Sequence, residues 1–383
     1  MDFAWTEEQE ILRQSVRTLM RRHAPLDYVR RHDQERAFPY DLYQHWIDAG
    51  LLRLPFPEAY GGLDGTALDL AIVVEEISRI SADFCMVFSG NIFCGLNILR
   101  HGTEAQREHW LPRLLDGRIM LSIGISEPDA GSDVGAIRTS ARRDGDDWVI
   151  NGQKLWTTGA GLRNSLMCLY VRTDPKANHR AGLSLILVEN DTPGVELRKL
   201  DMLGRRCAGT YEVFLDDVRV SADRLIGEEN KGWDCLLSGL QFERAVSAAG
   251  NCGGAQAIFD LALEHSKQRR QFGRAIGEFQ TIAHRLADMQ TQLDAARVLT
   301  WRAAWKAAQG VDALADITMA KLFSSETYVQ IANAGMQIAG AFGLSAESDM
   351  QRHFRDSRSV TIAAGTSEMQ RNVLAGLMGL RSR

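Results

Sequence analysis

Gly124-Ile-Ser-Glu-Pro-Asp-Ala-Gly-Ser-Asp133 divides this chain. It follows a short, mostly apolar run, Ile119-Met-Leu-Ser-Ile123, and gathers hydroxyls, carboxylates, glycines and a proline into one turn. Pro128 fixes its own φ and biases Glu127 away from helix. Gly131 permits a backbone that a larger residue would resist. The result is a stiff loop whose amides and hydroxyls are free to meet a ligand. On composition alone, the same stretch reads as an ordinary polar loop after a strand.

On the N-terminal side, residues 1–118 read as helices. Thr6 is an N-cap, and Glu7, Glu8 and Glu10 fall in the first turn, where the helix dipole favours negative charge. Ile11, Val16 and Leu19 give that helix an apolar face. Further helices are expected at Tyr40 to Ala49, stopped by Gly50, then at Leu68 to Ile80, Asn91 to Leu99 and Thr103 to Leu115. Over residues 119–227 the apolar period becomes two, and the segment reads as a small, mainly antiparallel β unit. Trp148 to Trp156 is expected to hold an Asn151-Gly152 turn between two strands. Residues 228–383 read as a helical bundle, with long helices over roughly 228–267, 279–308, 312–341 and 349–379. The fold class is therefore α+β, mainly α: an N-terminal helical domain (1–118), a central antiparallel β domain (119–227) and a C-terminal four-helix bundle (228–383).

The chain has 383 residues, 45% hydrophobic and 24% charged, with a formal net charge of −5. These are ordinary values for a soluble globular protein and give no reason to expect nucleic acid. The six cysteines are scattered without a Cys-x-x-Cys pair, and no histidine pair has ligand spacing. They read as buried thiols in a reducing compartment, and no metal site is expected. No apolar run reads as a bilayer span, and the acidic start does not resemble a leader, so the expected location is cytoplasmic. The chain has neither Gly-x-Gly-x-x-Gly after a strand nor a Walker-type loop. Gly250-Asn-Cys-Gly-Gly254 lies in a helical pattern and reads as close helix packing.

Two more segments change the weight of the first. They are Arg269-Arg-Gln-Phe-Gly-Arg-Ala-Ile-Gly-Glu-Phe-Gln280 and Arg355-Asp-Ser-Arg-Ser-Val-Thr-Ile-Ala-Ala-Gly-Thr-Ser-Glu-Met-Gln-Arg371. In this order and at these separations, the three resemble the acyl-CoA dehydrogenase family over nearly the whole chain. The resemblance implies an FAD enzyme, a homotetramer or dimer built through the C-terminal bundle, an acyl-CoA substrate and an electron-transferring flavoprotein as partner. It also implies site residues. Ile125 and Ser126 would lie along the isoalloxazine edge, with Trp156 and Thr158 flanking the ring. Arg269, Phe272 and Gln280 would reach the FAD of a neighbouring subunit, and Gln337 its adenine half. Thr366 and Glu368 would complete the contacts. Where the family usually has Gly-Gly, this chain has Gly340-Ala341. Position 368 is Glu here and Gln in some members.

The reaction implied removes a proton α to a thioester and passes the β-hydrogen as hydride to flavin N5. A carboxylate with a raised pKa in a dry pocket suits the first task. Many members carry it immediately before the C-terminal Gly-Thr, where this chain has Ala364. A second arrangement, in isovaleryl- and long-chain-type enzymes, places it in a helical motif ending Glu-Arg. Leu240-Gln-Phe-Glu-Arg-Ala245 puts that glutamate at Glu243. The other reading of Glu243 is an ordinary helix carboxylate in an ion pair. The Ala364 backbone N–H can still donate to the thioester oxygen, with Gly365 beside it. Ser132 and Arg244 are the expected substrate contacts; the competing readings are a loop hydroxyl bonded to its own backbone and a plain helix ion pair. Crotonobetainyl-CoA reductase shares the Glu-Arg motif and the missing C-terminal carboxylate, so reduction in the reverse direction stays open. So do a same-fold oxidase or monooxygenase and a non-catalytic flavoprotein.

Overall fold

The computed structural model describes residues 4–380. The first three residues, on which the reading of the chain's start partly rests, lie outside that range. Six helices come first: α1 (Glu7–His23), α2 (Leu26–Glu35), α3 (Tyr40–Asp48), α4 (Ala67–Ile80), α5 (Ala82–His101) and α6 (Glu104–Leu115). Three of them start with the same device. Thr6, Thr66 and Thr103 each accept from the backbone three residues on, and Gln9, Asp69 and Gln106 reach back to the cap N–H. Each device satisfies two of the amides that a helix start leaves free.

Helix α5 differs from expectation. It begins at Ala82, capped by Ser81, nine residues before the expected start at Asn91. Its 20 residues and mean hydropathy of 1.4 meet the length and composition of a membrane span, contrary to the sequence reading, but 83% of that window is buried inside the protein. It is apolar because the core surrounds it: Trp46, Phe56, Phe84 and Phe88 are all fully buried in the same cluster.

The sheet comprises β1 (Met120–Gly124), β2 (Ser140–Asp144), β3 (Asp147–Thr158), β4 (Ser165–Arg172), β5 (Leu183–Glu189), β6 (Val195–Lys199), β7 (Thr210–Ser221) and β8 (Leu225–Ile226). Its order is β6-β7-β3-β2-β4-β5-β8, and β1 pairs with β4. Most ladders are antiparallel, but β1 and one residue of β2 run parallel to β4, so the sheet is mixed. The expected Asn151-Gly152 hairpin is absent. Strand β3 runs straight through, and the register against β7 slips between Ile150 and Gly152. Asn151 donates from Nδ2 to Asp217 and accepts the Asp217 N–H, both at 2.9 Å. Gly152 has φ 144°, and a Cβ there would lie 2.6 Å from Thr139 Cα. The Asn-Gly signal marks a bulge here because a partner strand occupies both sides of the segment.

Helix α7 (Gly232–Gln268) leads by a short hairpin, β9 (Arg270–Gln271) and β10 (Arg274–Ala275), into α8 (Gln280–Ala308), α9 (Leu314–Ala339), α10 (Ala341–Leu344), α11 (Asp349–Ser357) and α12 (Ser367–Leu377). The helix expected over 349–379 is therefore two, separated by a turn at 358–366 that holds Ala364 and Gly365 at φ 56° and 87°. Glycine packing in α7 is as expected. A Cβ at Gly253 would meet the Glu75 carbonyl at 2.1 Å, and one at Gly254 the Tyr328 ring at 2.5 Å. All six cysteines are free and buried.

Candidate active site

The loop after β1 is tied down from beneath. Lys154, fully buried on β3, donates to the Ile125 carbonyl at 3.1 Å and to Glu127 at 2.7 Å. Glu127 also accepts the N–H groups of Arg138 (2.6 Å) and Thr139 (2.9 Å). The Leu155 N–H donates to the Ser126 carbonyl at 2.8 Å. Burial lowers the Lys154 pKa to about 8, with Glu127 opposing. Burial works against the Glu127 carboxylate too, but the charge and hydrogen bonds of Lys154 and the two loop amides hold it below its usual range. The pair is ionised at neutral pH, and the half-buried Ile125 and Ser126 stand on a stiff base.

Beside that loop, Trp156 is 54% exposed and held at φ 64°. A bulky residue with positive φ is strained by about 1–3 kcal/mol and persists only where its surroundings impose it. Here they do: Thr157, its neighbour, is fully buried, and the β3–β7 register slips between Lys154 and Thr157. The Thr157 hydroxyl is buried with no protein partner. Thr158 shares a 3.3 Å hydroxyl contact with Thr210. An exposed aromatic and a rigid run of loop amides fit the edge and face of a flat heterocycle such as a flavin.

The second part of the site lies on α7 and the 358–366 turn. Glu243, half-buried, receives no hydrogen bond among the described residues. Burial pushes its carboxyl above the usual range, and the charges of Arg244, Lys321 and Arg205 pull against that shift without cancelling it. Cys94 and the buried Tyr170 lie close enough to feel its charge. The turn is gripped by its carbonyls. Arg244 Nε donates to Ala364 O at 3.0 Å and Lys321 Nζ to Gly365 O at 2.6 Å, while Gln370 Nε2 reaches both carbonyls. With both carbonyls engaged and Ala364 in the left-handed region, the Ala364 N–H has no acceptor among the described residues. Arg244 is thus a brace for the turn and not the helix ion pair of the competing reading. An unbonded carboxylate that resists ionisation, on the helix that grips a turn with a free amide, can take a proton while the amide stabilises the charge that follows.

Other expected contacts are not brought to this place within one chain. Arg269, Phe272 and Gln280 are exposed around the β9–β10 hairpin, and Phe272 is 93% exposed at φ 50°. Gln337 and Gly340 are exposed at the end of α9. Ser132 is exposed and makes no hydrogen bond to its own loop. Thr366 caps α12 by accepting the Met369 N–H, and Glu368 is exposed in its first turn. Sequence reasoning missed the Lys154–Glu127 pair, Lys321, Gln370 and Arg205. Only Lys154, two residues before Trp156, and Glu127, inside the 124–133 stretch, carried any local hint.

Family models for the N-terminal, middle and C-terminal domains of acyl-CoA dehydrogenases match residues 6–118, 122–218 and 230–378. The chain belongs to the acyl-CoA dehydrogenase family. A probable acyl-CoA dehydrogenase of Bacillus subtilis is 35% identical, over 98% of this chain and 99% of its own. A 3-(aryl)acrylate reductase of Clostridium sporogenes is 34% identical over 97% and 98%. The solved butyryl-CoA dehydrogenase of Megasphaera elsdenii superposes with a TM-score of 0.94 at 32% identity, covering 99% of this chain and 100% of that one. This acyl-CoA dehydrogenase is thus a flavoprotein that dehydrogenates acyl-CoA thioesters.

Proposed function

We propose that Glu243 is the base of this acyl-CoA dehydrogenase and that the Ala364 N–H holds the thioester oxygen. The observation that carries the reading is the pairing of an alanine before Gly365-Thr366 with a half-buried, unbonded carboxylate on α7, whose neighbour Arg244 is braced against the same turn. Burial keeps the carboxyl basic enough to take an α-proton, and the fixed amide stabilises the enolate-like oxygen as that proton leaves. Arg244, Lys321 and Gln370 hold the amide in place. FAD is the flavin proposed, and when bound it supplies the acceptor for the β-hydrogen as hydride. Ile125, Ser126, Trp156, Thr158 and Thr366 would hold it in this chain. Arg269, Phe272, Gln280, Gln337 and Gly340 would serve the FAD of a neighbouring subunit, which makes the proposed assembly an oligomer, a tetramer by family likeness. Ser132 would line the acyl-CoA path. A cytoplasmic enzyme of fatty acid metabolism that passes electrons to an electron-transferring flavoprotein completes the proposal.

Glu243→Gln should keep the flavin and lose about 10²–10⁴ in the rate of flavin bleaching by acyl-CoA. Bleaching at the normal rate in that variant would remove Glu243 from the role. The similarity to an arylacrylate reductase favours a second reading, in which Glu243 returns a proton to the α-carbon of an enoyl thioester. Comparing oxidation of reduced enzyme by enoyl thioester with bleaching by saturated thioester tells the directions apart.

A further inference from the structure

Three cations bear on the Glu243 carboxylate, from Arg244, Lys321 and Arg205. Two of them are spoken for by the carbonyls of Ala364 and Gly365. Arg205 is different. Its Nη1 lies 3.3 Å from the Met86 thioether, a weak acceptor. Its Nε is buried without any acceptor. Among the described residues no carboxylate stands within ion-pair distance of this guanidinium.

The backbone around Arg205 is built with care. The Arg205 N–H donates to Asp356 Oδ1 at 2.8 Å, and the N–H groups of Cys207 and Ala208 donate to Asp83 at 2.6 and 3.2 Å. Both carboxylates are buried, Asp83 on α5 and Asp356 on α11. A Cβ at Gly204 would come within 2.7 Å of the Arg355 backbone, so the loop lies flat against α11. Arg205 itself is held at φ 56°. Two buried acids are thus occupied by loop amides, and the side chain is carried to α5 at Met86, where its charge reaches Cys85, Glu243, Lys321 and Tyr328. Arg205, on the loop before β7, and Arg244, which grips the turn before α12, thus act on the Glu243 carboxylate from different elements of the fold.

An acyl chain lying along Glu243 would meet this guanidinium. A plain alkyl end would bury the charge against methylene groups and return nothing for the lost water. A carboxylate would take the open fork of donors and balance the excess of cations in the slot. We propose that Arg205 reads a carboxylate on the acyl part of the substrate, so that the preferred thioester is one derived from a dicarboxylic acid. This rests on the reading of Glu243 as the base beside the α-carbon.

The test uses holoenzyme and two CoA thioesters of equal length, one ending in methyl and one in carboxylate. Sulfur replaces the β-carbon in both, so neither can be oxidised, and binding is read from the shift in flavin absorbance. The wild type should bind the carboxylate form about 10- to 100-fold tighter. Arg205→Met should abolish that preference while binding the methyl form as well or better, and Arg205→Lys should keep part of it. Equal affinities in the wild type, or a preference that survives Arg205→Met, would overturn the proposal. The wild-type comparison decides even where a variant fails to fold. Both ligands carry the same acidic α-CH2, so any proton transfer to Glu243 cancels in the ratio of their affinities, and loss of this inference is distinct from loss of Glu243 as base, which is read by bleaching alone.

Discussion

A carboxyl group largely desolvated, with no hydrogen bond to its oxygens among the described residues, is hard to ionise, and the half-buried Glu243 is in that position. Two consequences follow at the residue scale. A base with a raised pKa works only above it, so bleaching by acyl-CoA should show an acid limb above the range of an ordinary glutamate. Stopped-flow rates across pH check this, and a limb at the value of an exposed carboxylate would refute it. The same shift has a stability sign. A carboxyl whose folded pKa is raised contributes stability below its unfolded pKa and loses it as pH rises through the folded one. Glu243→Gln should therefore raise the melting temperature in mildly alkaline buffer, and the gain should vanish in acid. Glu127 shows the opposite case in the same molecule. Its carboxylate is surrounded by Lys154 and two loop amides and sits below its usual range. At neither residue does the sequence reveal the environment. Glutamate in a helix and glutamate before a proline look alike in a string of letters, and only the partners that packing supplies separate a base from a brace.

At the scale of elements, α7 carries both the carboxylate proposed as the base and close glycine contacts to α4 and α9. Gly253→Ala sets two effects against each other. Replacing a helical glycine gains about 1 kcal/mol of propensity. Against this, the new methyl would fall 2.1 Å from a backbone carbonyl of α4, which cannot rotate aside. Overpacking of this kind costs about 1–3 kcal/mol and more where backbone must move, so the variant should be destabilised by urea denaturation. A neutral or stabilised variant would mean that α4 and α7 can part freely. The glycine run was legible as close packing, because few other reasons put three glycines within five residues of a long helix. The turn at 358–366 was not. Its residues fit a helix by composition, and the break is imposed by Arg244, Lys321 and Gln370, which pull the carbonyls of Ala364 and Gly365 out of a helical ladder. Asn151-Gly152 failed for a related reason: a hairpin signal inside a strand paired on both sides becomes a bulge.

At the scale of the whole molecule, the chain exposes groups that are costly to leave in water. Phe272 projects at the β9–β10 hairpin, and Trp305, Phe342 and Leu344 are exposed on the C-terminal helices. If the hairpin serves a neighbour's FAD, Arg269→Ala and Phe272→Ala should weaken FAD binding about tenfold or more without altering the helical signal of the protein. Flavin release measured by ultrafiltration, alongside molar mass by light scattering, checks this, and a monomer that keeps all its FAD would rule it out. The sequence by itself determined the order of helix, sheet and helix, the Thr6 cap of the first helix and the family, because periodicity and short motifs record what a residue needs from its own element. Only the tertiary structure decided that Arg244 and Ala364, 120 residues apart, meet through a hydrogen bond. It alone set the Arg205 guanidinium against the Met86 thioether, with no carboxylate at ion-pair distance among the described residues. Such meetings depend on how elements pack, and that is settled by burial summed over the whole core and not by the pattern within any one segment.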